Sequence, residues 1–137
     1  MSGTMQRIIP AGTQPLYDNY HFAPAIRVGD RIWLSGQVGI NAEFVAGKDM
    51  EEQARFAFEG IKATLAAAGA SFADVVELMS FHTDLRGEID DFVKVKDQYF
   101  PSDYPCWSAV GVTQLAAPEY KVEIRVVAIV GSGSAKS

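Results

Sequence analysis

The stretch that decides the fold is Asp49-Met-Glu-Glu-Gln-Ala-Arg-Phe-Ala-Phe-Glu-Gly-Ile-Lys-Ala-Thr-Leu-Ala-Ala-Ala-Gly69. Its apolar residues recur at the helical interval, which predicts one buried stripe made by Ala54, Phe58, Ile61 and Leu65. Asp49 can cap the first turn with Glu52 three residues on, and Gly69 is a typical helix stop. We therefore predict a long amphipathic helix that packs against other elements.

Segments rich in strand-forming residues lie on both sides of this helix. Three precede it, at about residues 5–9, 25–28 and 31–35. After it we expect a strand over 75–83, a second helix over 89–99, and strands over 108–113 and 122–130. This order predicts one α+β domain with an about six-stranded mixed sheet and two helices packed on one face. Because no third helix is predicted, the other face has to be covered by further copies of the chain.

Length and composition limit the class of protein. The chain has 137 residues, typical of a single domain, here 1–137, with a flexible arm at about 1–4 and a flexible tail at about 131–137. The net charge is −5 and the basic residues are scattered. Proteins that bind nucleic acid usually carry a clustered basic face, so we expect no nucleic-acid partner.

Cofactors, metals and membranes are not expected either. One cysteine, Cys106, makes neither an intrachain disulfide nor a structural zinc site. Gly36 and Gly39 lack the residues of a phosphate-binding loop around them. The apolar stretches are too short to span a membrane, and no secretory signal is recognisable. These features predict a cytoplasmic protein.

Five short motifs occur along the chain in a characteristic order: Ser35-Gly-Gln37, Leu65-Ala-Ala-Ala-Gly69, Asp74-Val-Val76, Phe81-His-Thr-Asp84 and Val122-Glu-Ile124. In order and spacing they resemble the RidA/YjgF family, over roughly Tyr20 to Val130. The stretches 20–25 and 105–112 look more specifically like its YjgH-type branch. The resemblance implies a chorismate-mutase-like fold and a homotrimer with an inner barrel and ligand clefts between subunits.

The resemblance also implies a set of site residues. Active members bind the substrate carboxylate with an arginine, whose planar guanidinium matches it in geometry and charge. A glutamate handles a proton or positions water, and a tyrosine and an asparagine complete the cleft. Carried over, these positions are Trp107 for the arginine, Glu123 for the glutamate, Phe22 for the tyrosine and Lys96 for the asparagine; Ser35 and Gly36 match the cleft-lining turn.

Each of these residues also has a structural interpretation. Glu123 lies between apolar neighbours, so it is either the catalytic carboxylate or paired with Arg125. Trp107 is either a core or interface residue or an aromatic wall of the cleft. Lys96 either faces the cleft as a substitute cation or lies in solvent. Cys106, beside Trp107, is counted with the substrate-binding residues but is also a common small buried residue.

Two functions follow as alternatives. One is an enamine or imine deaminase, releasing a carbonyl compound and ammonia, with altered substrate preference. Loss of the bidentate arginine contact costs about 2–4 kcal/mol, so activity on 2-aminoacrylate-like substrates should be low or absent. The other is a non-catalytic trimeric metabolite-binding protein with a Trp107-lined cleft. An endoribonuclease or translation inhibitor is disfavoured by the acidic charge and by the lack of a nucleophile with a nearby base.

Overall fold

The long helix forms as the sequence predicts. In the computed structural model, which describes residues 3–133, it is the second helix, α2 (Met50–Ala68). The Asp49 carboxylate accepts a hydrogen bond of 2.9 Å from the Glu52 N–H. Gly69 ends the helix in the left-handed region, with φ 91°, which glycine adopts at little cost. The stripe of Ala54, Phe58, Ile61 and Leu65 is fully buried.

Seven strands form one mixed sheet under this helix. They are β1 (Met5–Ile8), β2 (Ala25–Val28), β3 (Arg31–Leu34), the two-residue β4 (Gln37–Val38), β5 (Val75–His82), β6 (Cys106–Gly111) and β7 (Val122–Ile129). The strand order is β1-β2-β3-β7-β5-β6, and β4 also pairs with β7. All pairs are antiparallel except β5 and β6, which run parallel and are joined through α3 (Leu85–Tyr99).

The two faces of the sheet differ in burial. Along β7, Val122, Ile124, Val126 and Ala128 are buried in the core that α2 and α3 cover. The residues between them project from the opposite face, since side chains alternate along a strand. We call that side the open face; it carries exposed apolar residues such as Trp33 and Val110. Both long helices therefore lie on one face, as predicted.

The structure corrects the predicted elements at two strands and two helices: β4 is not among the predicted strands, and β6 (Cys106–Gly111) lies two residues before the expected 108–113. A third helix, α1 (Gln14–Tyr20), follows β1; it is short, has Pro15 in its first turn and buries none of its residues, so no apolar stripe announces it. The helix expected over 89–99 begins earlier, at Leu85, because the Asp84 side chain caps it through the Gly87 N–H at 3.3 Å. α1 forms part of the wall of a cavity described below.

The two ends of the chain lie partly outside the described residues. The predicted flexible arm (1–4) and tail (131–137) include residues 1–2 and 134–137, which lie outside the described range. Within that range, the Gly133 N–H donates a 2.9 Å hydrogen bond to the Asp74 carboxylate. None of the helices formed by residues 3–133 combines the length and the apolar character needed to cross a membrane.

Candidate functional site

A cavity of about 750 Å³ opens between α1, the turn after β3 and the start of β7. It brings together four residues that the sequence singled out: Phe22, Ser35, Gly36 and Glu123. The rest of its lining is apolar or aromatic, made by Pro15, Leu16, Tyr20, Val38, Ile40, Phe44, Ala116, Ala117 and Tyr120. Small-molecule sites are typically concave, mostly apolar and equipped with a few polar groups, as this cavity is.

Glu123 is the charged group of the cavity. Its side chain projects from the open face, because it alternates along β7 with the buried Val122 and Ile124. A Cβ placed on Gly36 would overlap the Glu123 carboxylate, so glycine is required there for the carboxylate to occupy its position. Partial burial raises the pKa of Glu123 above its ordinary value.

The Glu123 carboxylate makes no hydrogen bond or ion pair with any part of the chain that the structure describes. The sequence left open a pairing with Arg125. Arg125 instead places its Nη2 3.9 Å from Oε2 of Glu77 on the neighbouring strand β5. An unpaired, partly desolvated carboxylate with a raised pKa is a suitable proton acceptor for general-base chemistry.

Ser35 and Phe22 shape the wall beside Glu123. The Ser35 hydroxyl donates a 2.7 Å hydrogen bond to the carbonyl of Ala23, and the Ser35 N–H donates to that of Pro24 at 2.9 Å. These bonds fasten the turn after β3 to the segment that carries Phe22. The Phe22 ring is partly exposed in the cavity and supplies an apolar surface without a hydroxyl group.

Trp107 lies on the other side of the sheet. Trp107 of β6 is paired with Leu78 of the neighbouring strand β5. Its side chain packs on the face covered by α3, with its ring 5.9 Å from that of Phe92. Its indole N–H donates a 2.9 Å hydrogen bond to Oγ of the buried Ser80, and that Oγ lies 2.8 Å from Nε2 of His82. The only hydrogen-bond donor of the indole is therefore already used inside the chain.

Lys96 belongs to the same group of side chains. It is buried, with its Nζ 4.6 Å from the centre of the Trp107 ring and 6.0 Å from that of Tyr104. The Nζ also lies 3.7 Å from the Asp97 carboxylate. The cation is thus held by aromatic faces and a neighbouring carboxylate. We call Ser80, His82, Phe92, Lys96 and Trp107 the Trp107 cluster.

Cys106 occupies a third location. It is exposed on the open face at the start of β6, opposite Glu77 of β5. Within one chain, then, the predicted site residues fall into three places. Phe22, Ser35, Gly36 and Glu123 line the cavity, Lys96 and Trp107 lie in the Trp107 cluster, and Cys106 stands apart from both. Their roles in binding stay predictions.

Sequence reasoning missed three aromatic residues of the cavity: Tyr20, Phe44 and Tyr120. Tyr120 precedes β7 by two residues, and Tyr20 is the last residue of α1. Neither could be assigned to the cavity from the sequence, because their positions depend on how the whole chain folds. Phe44 carried a signal, since a large apolar residue in the loop after Asn41 has no periodic pattern to explain it. Its backbone is left-handed, with φ 64°, a conformation that strains a residue other than glycine.

The chain is similar to known proteins in both sequence and fold. The family described as "Endoribonuclease L-PSP" matches residues 13–130. The "RutC family protein YjgH" of Escherichia coli (strain K12) is 43% identical over 118 residues, covering 85% of this chain and 90% of the relative. A "2-iminobutanoate/2-iminopropanoate deaminase" of Dermatophagoides farinae is 33% identical over 133 residues, covering 91% and 97% of the two chains. A solved structure of "Protein YJGH" superimposes with a TM-score of 0.83 at 41% identity, covering 91% of this chain and 95% of the other.

These relatives bear on the sequence interpretation at two levels. They confirm the RidA/YjgF resemblance and its YjgH-like character, together with the fold. The deaminase activity is named for a relative that shares a third of its residues with this chain.

Proposed function

We propose that this chain, which belongs to the endoribonuclease L-PSP family of RidA/YjgF proteins, hydrolyses an enamine or imine to a carbonyl compound and ammonia with Glu123 as the catalytic base. The observation that carries the proposal is the unpaired Glu123 carboxylate, set against Gly36 in an apolar cavity. A relative named as an imine deaminase supports the reaction class.

The reaction needs one proton carrier beside the imine carbon. Water adds to that carbon while the C=N π pair moves to nitrogen, and Glu123 takes a proton from the attacking water. Glu123 then returns this proton to the amino nitrogen, and the C–N bond breaks as the hydroxyl oxygen forms the carbonyl. The hydroxyl proton leaves with ammonia as ammonium, so a protonated imine and water give a carbonyl compound and ammonium. An enamine first tautomerises to the imine.

The proposal includes a homotrimer with the cavities at the subunit interfaces. The open face supports it, because Trp33 and Val110 are 41% and 37% exposed on the side of the sheet that neither α2 nor α3 covers. Exposed apolar surface of this kind is typical of an interface. Sedimentation at micromolar concentration should give three times the 14.9 kDa chain mass; a monomer would contradict the trimer.

The test of catalysis is Glu123→Gln, compared with Glu77→Gln as a matched control. Both changes remove a carboxylate from the open face, but Glu77 does not line the cavity. The rate of ammonia release from freshly generated imines should fall about 100-fold or more in Glu123→Gln, which is the effect expected when a general base is lost. The rate should remain near that of wild type in Glu77→Gln.

The outcomes separate the candidate functions. Equal loss in both variants would show a general charge effect and would remove the catalytic role from Glu123. No acceleration by wild type, together with saturable binding of a small amine or ketone, would favour the non-catalytic metabolite-binding protein. The favoured outcome is a loss confined to Glu123→Gln, with the unfolding temperature unchanged or slightly raised.

A further inference from the structure

The cavity around Glu123 holds one kind of charge. Among its lining residues within 3–133, Glu123 is the only ionisable group that is charged at neutral pH, and no Lys, Arg or His side chain faces it there. A substrate carboxylate would therefore meet a like charge with no cation to offset it. Like charges within a partly desolvated site repel more strongly than in water.

The nearby cations are each occupied elsewhere. Lys96 packs on the ring of Trp107, on the helix-covered face of the sheet. Arg125 lies 3.9 Å from the Glu77 carboxylate, and Lys121 lies 3.4 Å from that of Glu88. Trp107, at the position of the family's arginine, has its indole N–H bonded to Ser80. Among residues 3–133 of one chain, none of these four groups is left over to bind a carboxylate. Every copy in the proposed homotrimer has the same internal contacts, so a neighbouring subunit brings these four groups to the cavity already occupied.

The walls of the cavity favour a large apolar substituent. Phe22, Phe44, Tyr20 and Tyr120 surround it with aromatic surface, and Phe44 is 51% exposed. Phe44 also keeps a left-handed backbone, φ 64°, where asparagine or glycine would fit without strain. An exposed aromatic ring in the cavity wall offers apolar surface to a ligand.

We infer that the substrate is the protonated imine of a primary amine that carries an aromatic or bulky apolar group and no carboxylate. This inference rests on the proposed function, because it names the substrate class of the same site. The positive iminium group lies beside the Glu123 carboxylate, and the apolar group lies against Phe22 and Phe44. Hydrolysis then yields an aldehyde or ketone and ammonium, not a keto acid.

The test uses two imines that differ only in the carboxylate. Oxidation of phenylalanine gives 2-imino-3-phenylpropanoate, and oxidation of phenethylamine gives the same skeleton with hydrogen in place of the carboxylate. The protein should accelerate hydrolysis of the second imine at least about 10-fold more than that of the first, the cost of placing an unpaired charge. The assay follows ammonia release above the spontaneous rate.

A binding measurement with stable probes removes the dependence on catalysis. Benzylammonium and benzoate match in size and differ in charge. Wild type should bind benzylammonium about 10-fold or more tightly than benzoate, and Glu123→Gln should lose this preference, because the attraction comes from one carboxylate. Calorimetric titration of the assembled protein gives both affinities.

Each result has a distinct consequence. Faster Glu123-dependent hydrolysis of the carboxylate-bearing imine, or tighter binding of benzoate, overturns the inference and leaves the proposed function standing. Loss of that activity in Lys96→Met would then identify Lys96 as the carboxylate anchor. Acceleration of neither imine overturns both the proposed function and the inference.

Discussion

The cavity around Glu123 and the Trp107 cluster lie on opposite faces of the same sheet, and their polar groups are treated differently. In the cavity, Glu123 has an apolar surround and no partner among the described residues. In the Trp107 cluster, the indole N–H, the Ser80 hydroxyl and the Lys96 cation all contact one another or a close neighbour, and Nδ1 of His82 is the one buried polar atom of the cluster without a hydrogen-bond partner among the described residues. Polar groups satisfied within the chain stabilise it, whereas an unsatisfied group facing a cavity is available to a ligand.

The resemblance predicts that Trp107 stands where active members of the family have an arginine, and the structure shows how a tryptophan fits the fold there. Trp107 fills space between β6 and α3, and its indole N–H donates a hydrogen bond to Ser80. Glu123 can occupy its position in the cavity because Gly36 leaves room for the carboxylate. Within one chain, Trp107 therefore packs against the core, whereas Glu123 faces the cavity.

The largest effect that tests this comparison is expected at Trp107. Trp107→Ala should lower the free energy of unfolding by about 3 kcal/mol, because it removes ring contacts with Phe92 and Lys96 and the bond to Ser80. Trp107→Phe keeps the ring and should cost about 1 kcal/mol. Urea denaturation at fixed protein concentration measures both. If Trp107→Ala left the stability unchanged but altered the affinity for a ligand, Trp107 would be a binding residue and not a core residue.

A second test uses the pH dependence of the buried His82. Burial lowers the pKa of His82 from 6.5 to about 4. Between these values the unfolded chain binds a proton that the folded chain does not, so stability is complete above pH 6.5 and falls as the pH drops towards 4. The loss should reach about 2–3 kcal/mol. Urea denaturation from pH 7 to 4.5 should show that the unfolding free energy falls less steeply with pH in His82→Phe than in wild type. An identical fall in both proteins would mean that His82 also binds a proton in the folded chain.

The smallest effect is expected at the cavity mouth. Phe44→Asn relieves the left-handed strain and should leave the unfolding free energy unchanged or raise it by up to about 1 kcal/mol. It should also weaken binding of benzylammonium several-fold, since it removes aromatic surface. Thermal denaturation and calorimetric titration on one preparation separate the two effects. A variant that loses stability and keeps its affinity would assign Phe44 to the fold and not to the ligand.

The sequence predicts those elements whose determining residues are close together in the chain. α2 is recognisable because its cap, its stripe and its stop all lie between Asp49 and Gly69. α1 left no such pattern, because none of its residues is buried. Glu123 could be placed opposite the core from its own neighbours Val122 and Ile124. The face used by Trp107 depends on its register with Leu78, which lies in a separate strand, so no local pattern reveals it.

The position of β7 has a consequence for folding during synthesis. β7 holds the last residues of the sheet in sequence, yet it lies in the middle, between β3 and β5. The β1–β3 meander and the β5–α3–β6 unit can each form early from nearby residues, but they remain separate until residues 122–129 are available. Such late, long-range pairing slows folding and exposes strand edges meanwhile. Because Glu123 lies on this strand, a partly folded chain does not hold its carboxylate in the cavity, which forms only with the completed sheet.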